Sequence, residues 1–141
     1  MLWVNLASLP SSEGRIYYLA GESQFRNDFD LQFETDDTLK FYTGAGDKLV
    51  YRPNHDTLVG HWHFIVATFD TSPAARTLYW DGNLANADQG GGIPNKTSVF
   101  SIGESTFFKG RFFRGSIDEV ALWNRALTAS EVRDIYISTN R

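Results

Sequence analysis

Trp62-His63-Phe64-Ile65-Val66-Ala67-Thr68-Phe69-Asp70 and, a few residues on, Thr77-Leu78-Tyr79-Trp80-Asp81-Gly82-Asn83-Leu84-Ala85 are the stretches whose reading decides the fold. In the first, both alternating sets of side chains are largely apolar, so the spacing predicts a central strand covered on both faces or curving into an inter-sheet core. In the second, Asp81-Gly82 between apolar runs predicts a hairpin, because that dipeptide suits a type I′ turn whose twist matches its strands. Working outward, runs rich in β-branched and aromatic residues recur at Ile16 to Ala20, Phe29 to Glu34, Leu39 to Thr43, Lys48 to Tyr51, Val99 to Gly103 and Ser116 to Trp123. Between them lie turn formers: Gly21-Glu22, Asn27-Asp28, Asp36-Asp37, Gly44-Ala45-Gly46, Pro53-Asn54 and Gly90-Gly91-Gly92. These intervals are too short for crossover helices, so the strands pair antiparallel in a sandwich or barrel.

Composition agrees and narrows the function. The 141 residues suit one domain, and a chain of this size buries roughly two thirds of its unfolded surface. Aromatics at 15% favour strands. A net charge of −4, with the basic residues scattered, leaves no phosphate-tracking surface, so nucleic acid is not an expected partner. Cysteine is absent, which removes disulfides, thiolate metal sites and a cysteine nucleophile together. Met1 to Pro10 carries no positive residue and too short an apolar run for an export signal, and runs such as Phe64 to Ala67 fall far below the ~20 residues of a membrane helix. No membrane insertion is expected.

One helix is signalled. Thr128-Ala129-Ser130-Glu131 has capping-box spacing, Leu127 is placed as a hydrophobic staple, and Val132, Ile135 and Tyr136 form a small apolar stripe. The expectation is a short C-terminal helix plugging one end of the sandwich.

Gly60 to Asp70, Leu78 to Gly82, Ser101-Ile102-Gly103 and Phe113 to Val132, in this order, resemble the laminin-G-like jelly-roll domains of the concanavalin A-like lectin superfamily. The resemblance covers roughly residues 2 to 137 and implies an all-β, antiparallel two-sheet jelly roll with one short C-terminal helix, residues 1–141 forming a single domain. Leu2-Trp3-Val4 looks like an early strand of that family, which a further strand and calcium-site residues usually precede; that N-terminal strand is apparently lacking here. Two expectations follow: a stand-alone short variant whose uncovered edge is closed by a second copy in a homodimer, or a fragment of a longer product. The resemblance also implies an extracellular or cell-surface location, although this chain shows no signal peptide.

Several constellations compete for a role. Asp118 and Glu119 are the most tempting carboxylates, but the glucan-cutting enzymes of similar fold need carboxylates at alternating strand positions, whereas adjacent residues point to opposite faces and do not form a retaining pair ~5 Å apart. Asp118 is read as a hydrogen-bond acceptor at a sheet end or, as the resemblance implies, a calcium ligand. Asp28, Asp30, Gln32 and Glu34 share one strand face opposite Phe29, Leu31 and Phe33, which reads as solvated; within that stretch Asn27 and Asp28 are the better Ca²⁺ candidates, since loops converge oxygens more easily than flat strands. His61 and His63 have i, i+2 spacing, but no third zinc ligand is evident. Phe107, Phe108, Phe112 and Phe113 surround Lys109-Gly110-Arg111 in an inter-strand loop. Either these rings fold back over the sandwich mouth, or Phe107, Phe108, Lys109, Arg111 and Phe112 bind a sugar or protein ligand by stacking and hydrogen bonding. Asn95-Lys96-Thr97 matches a glycosylation acceptor. No catalytic residue is assigned; the expected function is non-catalytic glycan binding or adhesion, with a self-associating structural domain as the alternative and a polysaccharide-degrading enzyme ranked last.

Overall fold

A computed structural model describes residues 1–22, 29–44, 47–92 and 99–139. Among them are β1 (Leu2–Leu6), α1 (Pro10–Glu13), β2 (Tyr17–Glu22), β3 (Phe29–Phe33), β4 (Leu39–Thr43), β5 (Asp47–Tyr51), β6 (Trp62–Thr71), β7 (Ala74–Trp80), β8 (Asn83–Gln89), β9 (Phe100–Ile102), β10 (Gly115–Asp118) and α2 (Ala129–Thr139). The strands form two five-stranded sheets, ordered β10-β1-β6-β7-β8 and β5-β4-β3-β2-β9, and every strand pairing is antiparallel. This is the jelly-roll sandwich the sequence predicts.

Period-2 alternation decides what faces inward. Leu2, Val4 and Leu6 of β1, Ile65 of β6 and Leu78 of β7 pack between the sheets against Tyr17, Leu19, Leu31, Phe33, Leu39, Phe41 and Leu49 of the second sheet. Arg76 also points inward and is 2% exposed. Its guanidinium donates to both Asp88 carboxylate oxygens (2.9 and 2.6 Å) and across the gap to Thr43 Oγ1 (3.2 Å), so a charge is buried with its partners attached.

The central strand β6 is covered on both faces. Its outward set, Phe64 and Val66, joins Trp3 and Tyr79 in a second apolar cluster closed by Leu127 and Val132, with Ile135 and Tyr136 packed alongside. The helix therefore lies on the outer face of the first sheet rather than plugging an end of the sandwich. The physical reason is that β1, β6 and β7 present an apolar stripe outward, which the helix's own apolar stripe covers. The helix starts as predicted: Glu131 N–H donates to Thr128 Oγ1 (3.3 Å), and Thr128 N–H donates to Glu131 Oε2 (2.8 Å). Arg125 grips the same carboxylate at 2.6 and 2.9 Å and, first among the causes, holds it at about 2, well below the usual carboxylate range.

Asp81 and Gly82 have φ of 49° and 75°, the double positive φ of a type I′ turn. Gly82 is needed twice over, since a Cβ there would lie 2.7 Å from the Tyr136 ring. The strand expected to run to Trp123 stops at Asp118, where Glu119 turns to φ 49°. The early strand β1 is internal, flanked by β10 and β6; the sheet edges are β10, β8, β5 and β9. Among the described residues no helix is long and apolar enough to cross a membrane.

Candidate functional site

The loop from Gly103 to Phe113 leaves β9 and folds back on itself. Phe113 N–H donates to Gly103 O (2.7 Å), Ser105 N–H to Arg111 O (3.0 Å) and Phe108 N–H to Ser105 Oγ (3.0 Å), with Gly110 supplying φ 81° at the tip. Its backbone groups are thus largely satisfied internally, and its rings are held rather than splayed. The four phenylalanines divide. Phe113 turns into the core and meets Tyr17 edge-to-face at 5.9 Å. Phe108 is half-buried, edge-to-face with Phe107 at 4.9 Å and under the Arg111 guanidinium at 4.0 Å. Phe107 and Phe112 remain 38% and 40% exposed, the latter with Arg15 stacked 4.3 Å above its ring. Lys109 is exposed at the tip. Cations over ring faces fix both planes without covering their outer edges.

The loop stands over the outer face of the second sheet. Cross-strand registers Tyr18↔Gln32↔Lys40 and Gly21↔Asp30↔Tyr42↔Lys48 set two polar rows side by side. The expectation that Asp30, Gln32 and Glu34 form a solvated face is corrected: Asp30 is 9% and Gln32 2% exposed. Arg111 Nη1 reaches Gln32 Oε1 at 3.4 Å, so the loop covers part of the row. Glu34 Oε1 is the hub. It accepts from Gln32 Nε2 (2.8 Å) and Tyr42 OH (2.7 Å), with Lys40 Nζ at 3.9 Å. Burial, then the bond to Glu34, pushes the Tyr42 phenol far above its ordinary value, so it stays a donor. Ser101 faces Gly21 on β9, and its hydroxyl is buried with no partner among the described residues. Beside the loop, Glu13 binds Arg15 and Arg114 at 2.6 Å each, and the Arg15 bond leads in drawing its carboxyl below the usual range.

Chemically, this arrangement offers partly exposed ring edges, guanidinium and ammonium donors, a phenol and a carboxylate acceptor within one surface. That mix suits a polyhydroxylated ligand, whose C–H faces lie against rings while its hydroxyls exchange hydrogen bonds. The loop residues stand out as a constellation in the sequence. Arg15, Tyr18, Lys40 and Tyr42 do not; the signal available is the i, i+2 placement of Lys40 and Tyr42, matching that of Gln32 and Glu34, which only strand pairing turns into a platform.

The metal candidates separate. Asn27 and Asp28 lie outside the described residues, as does the Asn95-Lys96-Thr97 triplet. Asp118 is exposed at the end of β10, and its Oδ1 accepts the Glu119 N–H at 2.8 Å. Among the described residues no three His, Asp or Glu side chains gather as a metal cluster. The histidines are also dispersed. His61 bonds Val59 O at 3.1 Å and His55 lies 3.4 Å from Asp37, whereas His63 is buried between Asp81 Oδ2 (3.0 Å) and Thr57 O (2.9 Å).

A laminin G-type family model, described as the concanavalin A-like lectin/glucanases superfamily, matches residues 1–133. No curated protein matches the sequence. Among solved structures, a putative carbohydrate-binding protein from Bacteroides ovatus ATCC 8483 superposes with TM-score 0.76 at 19% identity, over 94% of this chain and 38% of that one. Domain 4 of AbnA, an extracellular GH43 arabinanase from Geobacillus stearothermophilus, solved with arabinotriose, gives 0.71 at 18% identity, over 96% of this chain and 64% of that one. Trypanosoma rangeli sialidase with sialic acid gives 0.72 at 19%, with 99% of this chain covering 22% of that one. At these identities the likeness is one of fold, and this chain spans only a part of each.

Proposed function

The chain belongs to the concanavalin A-like lectin/glucanases superfamily, and from that premise we propose that it is a non-catalytic module that binds a glycan at the loop Gly103 to Phe113. The observation that carries this reading is the pair of partly exposed rings, Phe107 and Phe112, beside Arg15, Arg111 and Lys109 at the rim of a polar sheet face. Half-buried Glu34, Lys40 and Tyr42 supply hydroxyl-binding donors and acceptors next to them. The carbohydrate-binding description of the Bacteroides structure and the arabinotriose bound to the arabinanase domain support the ligand class. The same analogy supports an extracellular setting for this module.

The test is calorimetric titration of neutral oligosaccharides, arabinotriose first, into the wild type and Phe112→Ala. Binding of at least one sugar, weakened about tenfold by the substitution, which is 1.4 kcal/mol, is the expected result. Absence of binding across the panel, or equal affinity in the variant, would overturn it. Self-association through a sheet edge is the second reading, favoured by one feature: β8 is a seven-residue edge with Leu84 64% exposed. Sedimentation velocity at rising concentration tests it; a strict monomer removes it.

A further inference from the structure

Among the described residues the space between the sheets is not filled everywhere. Where β2 and β6 end and β3 and β9 begin, the sandwich holds a half-open pocket of about 350 Å³. Ala20, Leu31 and Phe41 line it from one sheet, Leu2 and Ala67 from the other. Many inward positions of this core carry large apolar side chains; here two alanines, Ala20 and Ala67, line the space. Ala20 faces inward because a β-bulge falls between Tyr18 and Ala20 and resets the alternation of β2. Protein interiors pack to crystal-like density, and apolar space left open is a standing cost to stability. At the rim, Leu122 and Trp123 are 62% and 41% exposed, although nearby Leu127 is buried.

We propose that this pocket is a second binding site, distinct from the glycan loop, for an uncharged apolar molecule the size of a two- or three-ring hydrocarbon. The lining decides the class. A sugar would bury hydroxyls against Leu, Phe and Ala side chains with no partners, at a cost of roughly 1–3 kcal/mol each. A charged ligand gains little from Arg125 at the rim, whose guanidinium is already committed to both Glu131 oxygens. Thr68 and Asn124, also in the lining, provide for one polar substituent at the mouth. Size follows from volume: an apolar cavity of ~150 Å³ takes benzene, and this one is about twice that. The glycan loop contributes no residue to the pocket.

The test is a fluorescence titration of the whole chain with N-phenyl-1-naphthylamine, an uncharged three-ring probe. Saturable one-to-one binding is expected, with a change in tryptophan emission that Trp123→Phe removes. Ala67→Leu and, as a separate variant, Ala20→Leu fill the pocket; each is expected to weaken the probe at least tenfold while leaving the melting temperature equal or higher. Phe112→Ala is expected to bind the probe as the wild type does, so failure of the glycan reading and failure of this one are separable. Absence of saturable binding to the wild type would overturn the proposal, as would undiminished binding in a folded filling variant or an emission change that survives Trp123→Phe.

Discussion

The outer faces of the two sheets are roofed in opposite ways. On the first, Trp3, Phe64, Val66 and Tyr79 present apolar surface, and α2 covers it with Leu127, Val132, Ile135 and Tyr136. On the second, the outward positions Tyr18, Asp30, Gln32, Lys40 and Tyr42 are polar, with Tyr18, Asp30 and Gln32 buried, and a loop of rings and cations covers one end of them. A helix satisfies its own backbone and brings only a side-chain stripe to the contact, so it makes a dry, permanent lid. The loop meets the polar face through the Arg111 to Gln32 hydrogen bond while Phe107 and Phe112 stay partly in solvent. The first face contributes stability, and the second carries the proposed glycan site.

Each prediction strains this contrast, from the largest effect down. Trp3→Ala removes a side chain 1% exposed that packs tilted against Phe64 at 5.1 Å and stacks on Tyr136 at 5.8 Å. It is expected to cost about 3–5 kcal/mol in urea unfolding, and any molecules that remain folded should keep wild-type glycan affinity. Phe107→Ala on the other face should do the reverse, shifting stability by under about 0.5 kcal/mol while lowering glycan affinity severalfold. A large loss of stability there would make the loop a second structural lid and dissolve the contrast.

Thr128→Ala unties the cap of α2 and should lower stability by about 1 kcal/mol, read as a lower melting temperature with unchanged glycan titration. Smaller still is a pH effect on the inner side of the first sheet. Both His63 ring nitrogens meet acceptors, Asp81 Oδ2 and Thr57 O, which suits the imidazolium. Burial opposes that charge, but the bonds to Asp81 and Thr57 prevail and raise the pKa above 6.5. With the folded value above the unfolded one, the contribution is complete below about pH 6.5 and is lost as pH climbs through the folded value. The melting temperature should therefore decline from pH 6 to 8, and His63→Gln should flatten that part of the profile. Smallest is calcium: excess Ca²⁺ against EDTA should leave the melting temperature unchanged. A ligand at a hundred times its Kd adds about 2.7 kcal/mol, so a rise of several degrees would point to a Ca²⁺ site at Asp118 or in the stretch containing Asn27 and Asp28.

Much of the fold is legible in the sequence because its signals are local. Alternation in residues 62–69, the Asp81-Gly82 pair and the Thr128 to Glu131 box each act over a few residues, and each forms as expected. Destinations are not legible. The stripe Val132, Ile135, Tyr136 announces that something will be buried but not against what, so a helix expected at a mouth lies on a face. Asp30 and Gln32 alternate as solvent-facing residues do, and nothing within five residues reveals that Arg111, some eighty positions later, will bond to Gln32. Phe113 differs from Phe112 only in which side of the chain it occupies, and that parity is set by the pairing of Glu104 with Phe112.

The place of β1 inside the first sheet has a consequence in time. β2 to β5 are neighbours in the chain as well as in the sheet, so their hairpins close as soon as they are made. β1 is synthesised before all of them, yet its partners are β6 and β10, and Trp3 meets its stacking partner only at Tyr136. At ~10 residues per second, roughly ten seconds separate Trp3 from Asp118, its partner in β10. Through that interval apolar β1 waits for β10, while β2 to β5 of the second sheet can already pair.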